Sequence, residues 1–360
     1  MALPAHHNQA APSQATGQFK AFLPLVHSSD NGVANPDKGI YWGAAIDDVP
    51  FNMSKLDAFE AMVGKKVSIV HWGHPWAVQG VYQPFLRGEF NNVRSRGAIP
   101  MISWTSQNQG SGKDQPDFQL RDIYEGQHDA FIRQWATDAK NWGHPMFLRF
   151  DHEMNGWWFQ WSENQNGNQP GDFVKAWRHV HDIFREVGAT NVTWVWCVNR
   201  AGSPDLIPAD TLYPGDAYVD WVALDAYNFG SDGIDGWTTF DETVKPMYNQ
   251  LVTIAPQKPV MIAEIASSED GGPIGRPASK GAWITDGFVE KLPKNYPNIH
   301  AVVWFNSQER NPLYDWPVES SEISISAFAA AIAQDYYLAN QYHNLADTPI
   351  APPAAHSATP

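Results

Sequence analysis

Two carboxylates, Glu153 and Glu264, each come at the end of a short apolar run of the sequence. Glu153 lies in the segment PMFLRFDHEMNGWWFQW at residues 145–161, beside several tryptophans, and Glu264 lies in PVMIAEIA at residues 259–266. Hydrolysis of a glycosidic bond uses such a pair, with one carboxyl as acid and base and the other as nucleophile. Indole rings are natural platforms for the C–H faces of sugar rings. We therefore predict that Glu153 and Glu264 form a catalytic pair.

Eight apolar runs of this kind recur along the chain, separated by intervals long enough for a helix. They cover residues 39–46, 67–73, 99–105, 146–153, 192–199, 219–227, 259–266 and 299–307. Their continuous hydrophobicity is typical of parallel strands that are covered on both faces. Helical patterning in the intervals 54–63, 127–140, 170–187 and 324–338 supports this, with Ser54 and Asp172 as expected N-caps. The sequence predicts an α/β fold, a single (β/α)8 TIM barrel, in which Glu153 ends strand 4 and Glu264 ends strand 7.

The barrel is expected to occupy residues 31–345, preceded by an N-terminal extension at residues 1–30 and followed by a Pro/Ala-rich tail at residues 346–360. The N-terminal segment lacks an apolar stretch of the length that a secretion signal requires, so we expect any signal to have been removed or never encoded. A doubly wound sheet is the alternative architecture, and it would usually carry a glycine-rich phosphate turn after the first strand. No glycine occurs at residues 44–48, which favours the barrel.

The overall charge bounds the class of ligand. With 24 Lys and Arg against 39 Asp and Glu, the formal net charge is −15, which disfavours nucleic acid and anionic lipid as partners. The sequence contains no run of about 18 uncharged apolar residues, which is the length that a membrane-spanning helix requires. Cys197 is the only cysteine, and Gly156 stands where an HExxH zinc motif needs its second histidine. We expect a neutral substrate, no cofactor, no metal and a monomeric protein.

Strand alternation predicts the neighbours of the two carboxylates. It places Arg149 and Asp151 on the same face as Glu153 in strand 4, and Ile262 on the same face as Glu264 in strand 7. The alternative to catalysis is that each glutamate is a buried ion-pair partner, and Arg149 is the candidate partner of Glu153.

The run RFDHEMNGWWFQW resembles the acid/base signature of glycoside hydrolase family 26, and the run MIAEIAS resembles the nucleophile strand of that family. The resemblance extends over the eight repeated strand–helix units, about residues 39–335. It implies a (β/α)8 barrel of glycoside hydrolase clan A with catalytic glutamates on strands 4 and 7. Glu153 then matches the general acid/base, and Glu264 matches the nucleophile.

The same resemblance implies roles for residues around the pair. His152 matches the histidine that precedes the acid, and Trp158 matches the aromatic residue five positions after it. Tyr227 matches the tyrosine whose hydroxyl orients the nucleophile. Trp304 matches the stacking platform under the sugar at the cleaved bond. The alternatives are that Tyr227 is a core residue and that Trp158 only packs its loop.

Three further residues complete the expected binding site. His71 and Trp76 follow strand 2 and are expected to recognise the sugar that is retained on the enzyme. Arg149 is expected to hold a carboxylate of the catalytic pair in place.

The substrate is left open by the resemblance. Most members of the family act on β-mannans, and an arginine is then expected immediately after the strand-8 tryptophan. Here Phe305 follows Trp304, and the stretch WFNSQERNPLYDWPVESS is more similar to the mixed-linkage β-glucanase branch. We therefore expect a retaining, endo-acting enzyme on mixed-linkage β-1,3-1,4-glucan, with endo-β-1,4-mannanase as the alternative and β-1,3-xylanase third.

Two other function classes stay open. A barrel of this kind could bind polysaccharide without cutting it, or could transfer glycosyl groups to an acceptor sugar through the same covalent intermediate. Because polymeric β-glycans are extracellular, we expect the protein to be secreted.

Overall fold

The structure, a computed structural model, describes residues 39–353 except 203–204, 232, 234, 270–278 and 309–313. Its barrel strands are β1 (Ile40–Ile46), β2 (Ile69–Val78), β3 (Ile99–Gln109), β4 (Met146–Phe150), β5 (Val192–Asn199), β6 (Trp221–Asn228), β7 (Val260–Ser267) and β8 (Ile299–Asn306). Each strand pairs in parallel with its neighbours in chain order, and β1 also pairs with β8. The sheet therefore closes, which confirms the predicted (β/α)8 barrel. The predicted extension at residues 1–30 lies outside the described residues.

Helices fill the intervals between the strands. The described α-helices are α1 (Met53–Val63), α2 (Arg87–Ser95), α3 (Leu120–Tyr124), α4 (Asp129–Trp142), α5 (Asp172–Val187), α6 (Phe240–Ile254), α7 (Lys280–Ile284), α8 (Leu292–Asn295) and α9 (Glu322–Ile332). A π-helical stretch, Thr285–Lys291, joins α7 to α8, and two-residue strands, Val81–Tyr82 and Tyr337–Leu338, pair with β2 and β1. In the part of the chain that the structure describes, no helix is both long and apolar enough to cross a bilayer.

The two expected N-caps are displaced from their predicted positions. The cap of α1 is Asn52, whose side chain accepts a hydrogen bond from the backbone N–H of Ser54 at 3.2 Å. The residue that precedes α5 is Gly171, and Asp172 is the first helical residue. Asp172 instead accepts from the backbone N–H of Gln169 at 2.9 Å. Both side chains lie at the start of their helix, but neither is the capping residue.

Apolar side chains form two layers, and alternation along each strand decides which layer a residue joins. Side chains such as Tyr41, Met101 and Phe147 fill the barrel interior, whereas Trp42 and Trp104 pack between the barrel and the helices. All seventeen tryptophans belong to the described residues, and all except Trp157 and Trp158 are buried. The high tryptophan content therefore mainly serves the core rather than sugar binding.

Residues 350–351 of the predicted C-terminal tail pack against the end of the barrel where the strands begin. Ile350 is 1% exposed and packs among the interior side chains. Its backbone N–H donates to the Thr193 hydroxyl at 2.8 Å, and its carbonyl accepts from the Trp221 indole at 2.7 Å. Tyr41 donates its hydroxyl hydrogen to the next carbonyl, that of Ala351, at 3.0 Å. Residues 354–360 of the predicted tail lie outside the described residues.

Candidate active site

Glu264 reaches the barrel interior because β7 is irregular. The register between β7 and β8 shifts between Ile262 and Ile265, so two residues occupy the space of one. Ile262 and Ile265 both pack toward the helices, while Ala263 and Glu264 turn inward. The prediction that Glu264 shares a face with Ile262 is therefore wrong, since strict alternation does not survive a β-bulge.

Arg149 on β4 holds Glu264 from within the barrel. Its guanidinium is fully buried and donates to both carboxylate oxygens of Asp225, at 2.7 and 2.6 Å, and to one oxygen of Glu264. The Ser103 hydroxyl accepts two further hydrogen bonds from the same group, at 2.9 and 2.7 Å. Arg149 thus contacts one carboxylate of the predicted pair. That carboxylate is Glu264 and not Glu153, its closer neighbour in sequence.

The surroundings of Glu264 favour its ionised form. Burial by itself raises the pKa of Glu264, but the charge of Arg149, together with His71, His152 and the Tyr227 hydroxyl, outweighs burial and holds this pKa well below its usual range. His71 lies 4.0 Å from the carboxylate, and the Tyr227 hydroxyl donates a hydrogen bond to its second oxygen. Glu264 is therefore a carboxylate anion near neutral pH.

Glu153 lies in the loop that follows β4 rather than on the strand. The strand ends at Phe150, and Asp151 and Glu153 adopt left-handed backbone conformations with φ of 40° and 54°. The backbone N–H of Glu153 donates to the carbonyl of Cys197 on β5 at 2.8 Å, which anchors the loop. Asp151 points elsewhere and accepts the backbone N–H and hydroxyl of Ser106, at 2.7 and 2.6 Å. The predicted shared face of Arg149, Asp151 and Glu153 therefore ends with the strand.

The Glu153 side chain has the opposite electrostatic environment to Glu264. Burial, and then the negative charge of nearby Glu264, raise the pKa of Glu153. Hydrogen bonds from the Asn199 amide at 2.7 Å and the Trp158 indole at 2.6 Å fix its two oxygens and partly oppose the rise. One carboxyl of the pair is thus prepared as an acid, and the other as an anion.

Both carboxylates line one open cavity of about 410 Å³. Its wall is largely aromatic, and the aromatic side chains are Trp157, Trp158, Phe159, Tyr227, Phe229, Phe305, Tyr314 and Trp316. Such a wall offers apolar faces on which pyranose rings can stack. Of the residues predicted to bind substrate, His152, Trp158 and Tyr227 lie on this cavity. His71 and Arg149 are instead buried beside Glu264 and act on it rather than on a ligand.

Trp76 is not at the cavity, which corrects its predicted role. Its side chain is fully buried, with ring centroids 5.0 Å from Trp104, 5.4 Å from Phe131 and 5.8 Å from Phe150. This position lies in the layer between the barrel and the helices. Trp76 therefore stabilises the fold, because an indole enclosed by three aromatic rings has no face left for a sugar.

Trp304 is likewise not the cavity platform. Its indole is 1% exposed, packs 5.1 Å from the Phe328 ring and donates to the carbonyl of Trp316 at 3.2 Å. Alternation along β8 explains this, since Val303 faces the barrel interior, Trp304 faces the helices and Phe305 faces inward again. Phe305 and Trp316 supply the aromatic surface that was assigned to Trp304.

Sequence reasoning also missed residues that hold the site together. Asn199 ends the apolar run of β5, and Asp225 interrupts the apolar run of β6. Both can therefore be recognised in the sequence as polar residues of an apolar strand. Polar residues inside buried strands need partners, and each of these two contacts a charged group of the site. Trp316 lies in the segment after β8, and the spacing of residues there does not predict its position at the cavity.

One group of side chains within the described residues has donor atoms close enough to hold a metal ion. These atoms, from His152, Asp225 and Glu264, lie within 4.8 Å of one another. However, Arg149 already donates to both oxygens of Asp225 and to one oxygen of Glu264. The set therefore fits a buried guanidinium better than a metal ion, and we assign no metal role to it.

Comparison with known proteins agrees with this geometry. Residues 119–270 match the family model described as glycosyl hydrolase family 26. Endoglucanase H of Acetivibrio thermocellus is 33% identical over 311 residues, which are 84% of this chain and 31% of that protein. The chain belongs to glycosyl hydrolase family 26. A mannan endo-1,4-beta-mannosidase of Bacillus subtilis is 28% identical over 181 residues, 48% of this chain and 42% of that protein.

The chain thus spans about a third of the endoglucanase and less than half of the mannosidase. Among solved structures, a family 26 beta-mannanase from Bacteroides ovatus superposes with a TM-score of 0.60 at 18% identity. The superposition covers 84% of this chain and 90% of that one, and at this identity it supports the fold alone.

The family 26 match includes the residues of the chemical centre but not the whole cavity wall. Glu153 and Glu264 both lie within residues 119–270, whereas Phe305 and Trp316 lie outside them. The centre is therefore the part of the site that the family model covers. The aromatic wall after β8 belongs to the part of the chain beyond that model.

We predict that Arg149→Met lowers the free energy of unfolding by about 3–5 kcal/mol at pH 7.5, because two buried carboxylates lose their cation. Since Arg149 depresses the pKa of Glu264, this contribution is complete above the unfolded value of about 4.3 and declines as the pH falls below it. Urea unfolding at several pH values measures both effects.

The matched control is Arg96→Met, which breaks a surface pair with Asp57 and is expected to cost about 1 kcal/mol or less. Equal losses for the two variants would contradict the role given to Arg149.

Proposed function

We propose that the chain is a retaining, endo-acting glycoside hydrolase that cleaves a neutral β-linked polysaccharide, most favourably mixed-linkage β-1,3-1,4-glucan. The observation that carries this proposal is the opposite environment of the two glutamates in one aromatic-walled cavity. Arg149 keeps Glu264 ionised, whereas burial and the charge of Glu264 favour the protonated form of Glu153. A protonated acid beside an ionised nucleophile is the starting state of double displacement.

In the first step, Glu264 attacks the anomeric carbon, and Glu153 protonates the glycosidic oxygen as that bond breaks. The product is a glycosyl ester on Glu264 and a released sugar chain. The Tyr227 hydroxyl, which already donates to Glu264, compensates for the changing charge on the nucleophile.

In the second step, Glu153 is ionised and removes a proton from water as the water oxygen attacks the anomeric carbon. The ester bond to Glu264 breaks, and the sugar leaves with its original configuration. Forming the ester neutralises Glu264 and so removes the charge that raised the pKa of Glu153, which suits its change from acid to base.

Two observations support glucan over mannan. The endoglucanase relative aligns along 84% of the chain, whereas the Bacillus subtilis mannosidase aligns along 48%. Phe305 presents an apolar ring to the cavity at the position where the mannan-active pattern carries arginine. Mannan remains the alternative, because mannanases and glucanases share this barrel and this pair of carboxylates.

Other classes have weaker support. A barrel that only binds polysaccharide has no need of two glutamates whose pKa values are shifted in opposite directions, and this chain has both. A transferase would use the same intermediate, and product analysis at high acceptor concentration separates it from a hydrolase. We also propose an extracellular setting, because the polymeric substrate does not enter cells, and action as a monomer.

We predict that Glu264→Ala lowers turnover at least about a thousandfold, because no other group on β7 can form the glycosyl ester. Added azide should restore part of the turnover of an activated aryl glycoside and yield a glycosyl azide of inverted configuration. Product analysis by NMR checks this. Residual activity of several per cent without azide would remove Glu264 from the nucleophile role.

Glu153→Ala should affect substrates according to their leaving group. Poor leaving groups need protonation, so hydrolysis of oligosaccharides should fall by about 10²–10⁴-fold, whereas dinitrophenyl glycosides should be far less affected. The wild-type rate falls at low pH as Glu264 gains a proton and at high pH as Glu153 loses one. The variant should keep the acidic limb and lose the alkaline one, and an equal loss on both substrates would argue against the acid role.

We predict that kcat/KM for lichenan exceeds kcat/KM for galactomannan by more than about tenfold. A site that hydrogen-bonds the equatorial 2-hydroxyl of glucose leaves polar groups unpaired when mannose presents an axial 2-hydroxyl. Reducing-sugar assays on both polymers, with β-1,3-xylan and carboxymethylcellulose as further substrates, measure the ratio. A ratio below one would instead identify mannan as the preferred substrate.

A further inference from the structure

Trp157 is the tryptophan of this chain that has the largest exposed surface. Its side chain is 45% exposed and lines the cavity. The other large apolar side chains that are exposed within the described residues are Phe51, Val81, Tyr82 and Ile323, and none of these lines the cavity. An exposed indole at the mouth of an aromatic cavity is a surface on which a ligand can stack.

The Trp157 ring is held in place although it is exposed. The Lys113 ammonium lies 5.1 Å from the ring centroid and donates to the Trp157 carbonyl at 3.3 Å. The Trp158 ring packs against it edge to face, with centroids 5.9 Å apart. Gly156 permits this arrangement, because a Cβ there would lie 2.4 Å from the Trp158 ring. The indole is thus ordered before a ligand arrives.

The position of Trp157 relates it to the leaving group. Its neighbour Trp158 donates to Glu153, the group that protonates the departing oxygen in the proposed reaction. Strands β4 and β8 are four apart in a ring of eight, so the loop after β4 and the end of β8 lie on opposite sides of the barrel mouth. Trp157 therefore faces the acid side of the cavity, whereas Phe305 and Trp316 line the opposite side.

We propose that Trp157 forms the platform of a subsite that binds the neutral β-linked pyranose unit on the leaving-group side of the cleaved bond. This inference rests on the proposed hydrolase function. The sugar stacks on the exposed surface of the indole, which lines the cavity.

The same subsite would receive an acceptor sugar after the first product leaves. The acceptor hydroxyl oxygen then attacks the anomeric carbon, the ester bond to Glu264 breaks, and Glu153 takes the hydroxyl proton. A new glycosidic bond forms in place of hydrolysis, with no other reactant required.

The test compares two substrates that carry the same retained sugars. One is an oligosaccharide of the polymer that the wild type cuts best, and the other is the β-glycosyl fluoride, whose leaving group puts no ring over Trp157. In Trp157→Ala, the ratio of kcat/KM for the oligosaccharide to kcat/KM for the fluoride should fall by about tenfold. Trp157→Phe retains a ring and should lose less.

The matched control is Phe51→Ala, which removes an exposed ring that does not line the cavity and should leave both constants unchanged. With the fluoride as donor, Trp157→Ala should also raise the acceptor concentration for half-maximal transfer by about tenfold. An unchanged ratio, or an equal fall on both substrates, would overturn the subsite. A wild type that cuts none of the polymers would instead reject the proposed function, so the two failures are distinguishable.

Discussion

The active site depends on one buried cation. The Arg149 guanidinium is fully enclosed in the barrel and is shared between the carboxylates of Asp225 and Glu264. Enclosing these charges is costly, and their mutual contacts compensate, together with the hydrogen bonds of Ser103, Tyr227 and Cys197. A buried arginine remains charged across the pH range in which proteins work, because its pKa lies far above neutral. The ionised state of Glu264 is therefore built into the barrel interior rather than left to solvent.

The second carboxyl, Glu153, differs from Glu264 in the groups that hold it and therefore in its expected protonation. Glu153 is held by two neutral donors, the Asn199 amide and the Trp158 indole, and among the described residues no cation donates a hydrogen bond to it. Its loop leaves β4 with two residues in left-handed conformations, which moves the carboxyl away from Arg149 and toward the cavity. Two glutamates of identical intrinsic acidity thus acquire separate roles from their surroundings.

The cavity wall is built from parts of the barrel that are distant in sequence. The loop after β4 contributes Trp157 and Trp158, and β8 with the segment after it contributes Phe305 and Trp316. The family model covers the first group but not the second. Glucan and mannan would both present a β-glycosidic bond to the same two carboxyls, so we expect the wall to distinguish between them.

The sequence alone determined the eight-stranded barrel, the two carboxylates and the residues next to them, because strand hydrophobicity and the acid motif are local patterns. The inward position of Phe305 also follows from the sequence, because alternation along β8 directs Phe305 inward and Trp304 toward the helices. Only the tertiary structure decided that a bulge in β7 turns Glu264 inward, that Trp76 joins the core and that Ile350 closes the barrel. These outcomes depend on strand register and on contacts between distant segments, and neither leaves a periodic signal in a single chain.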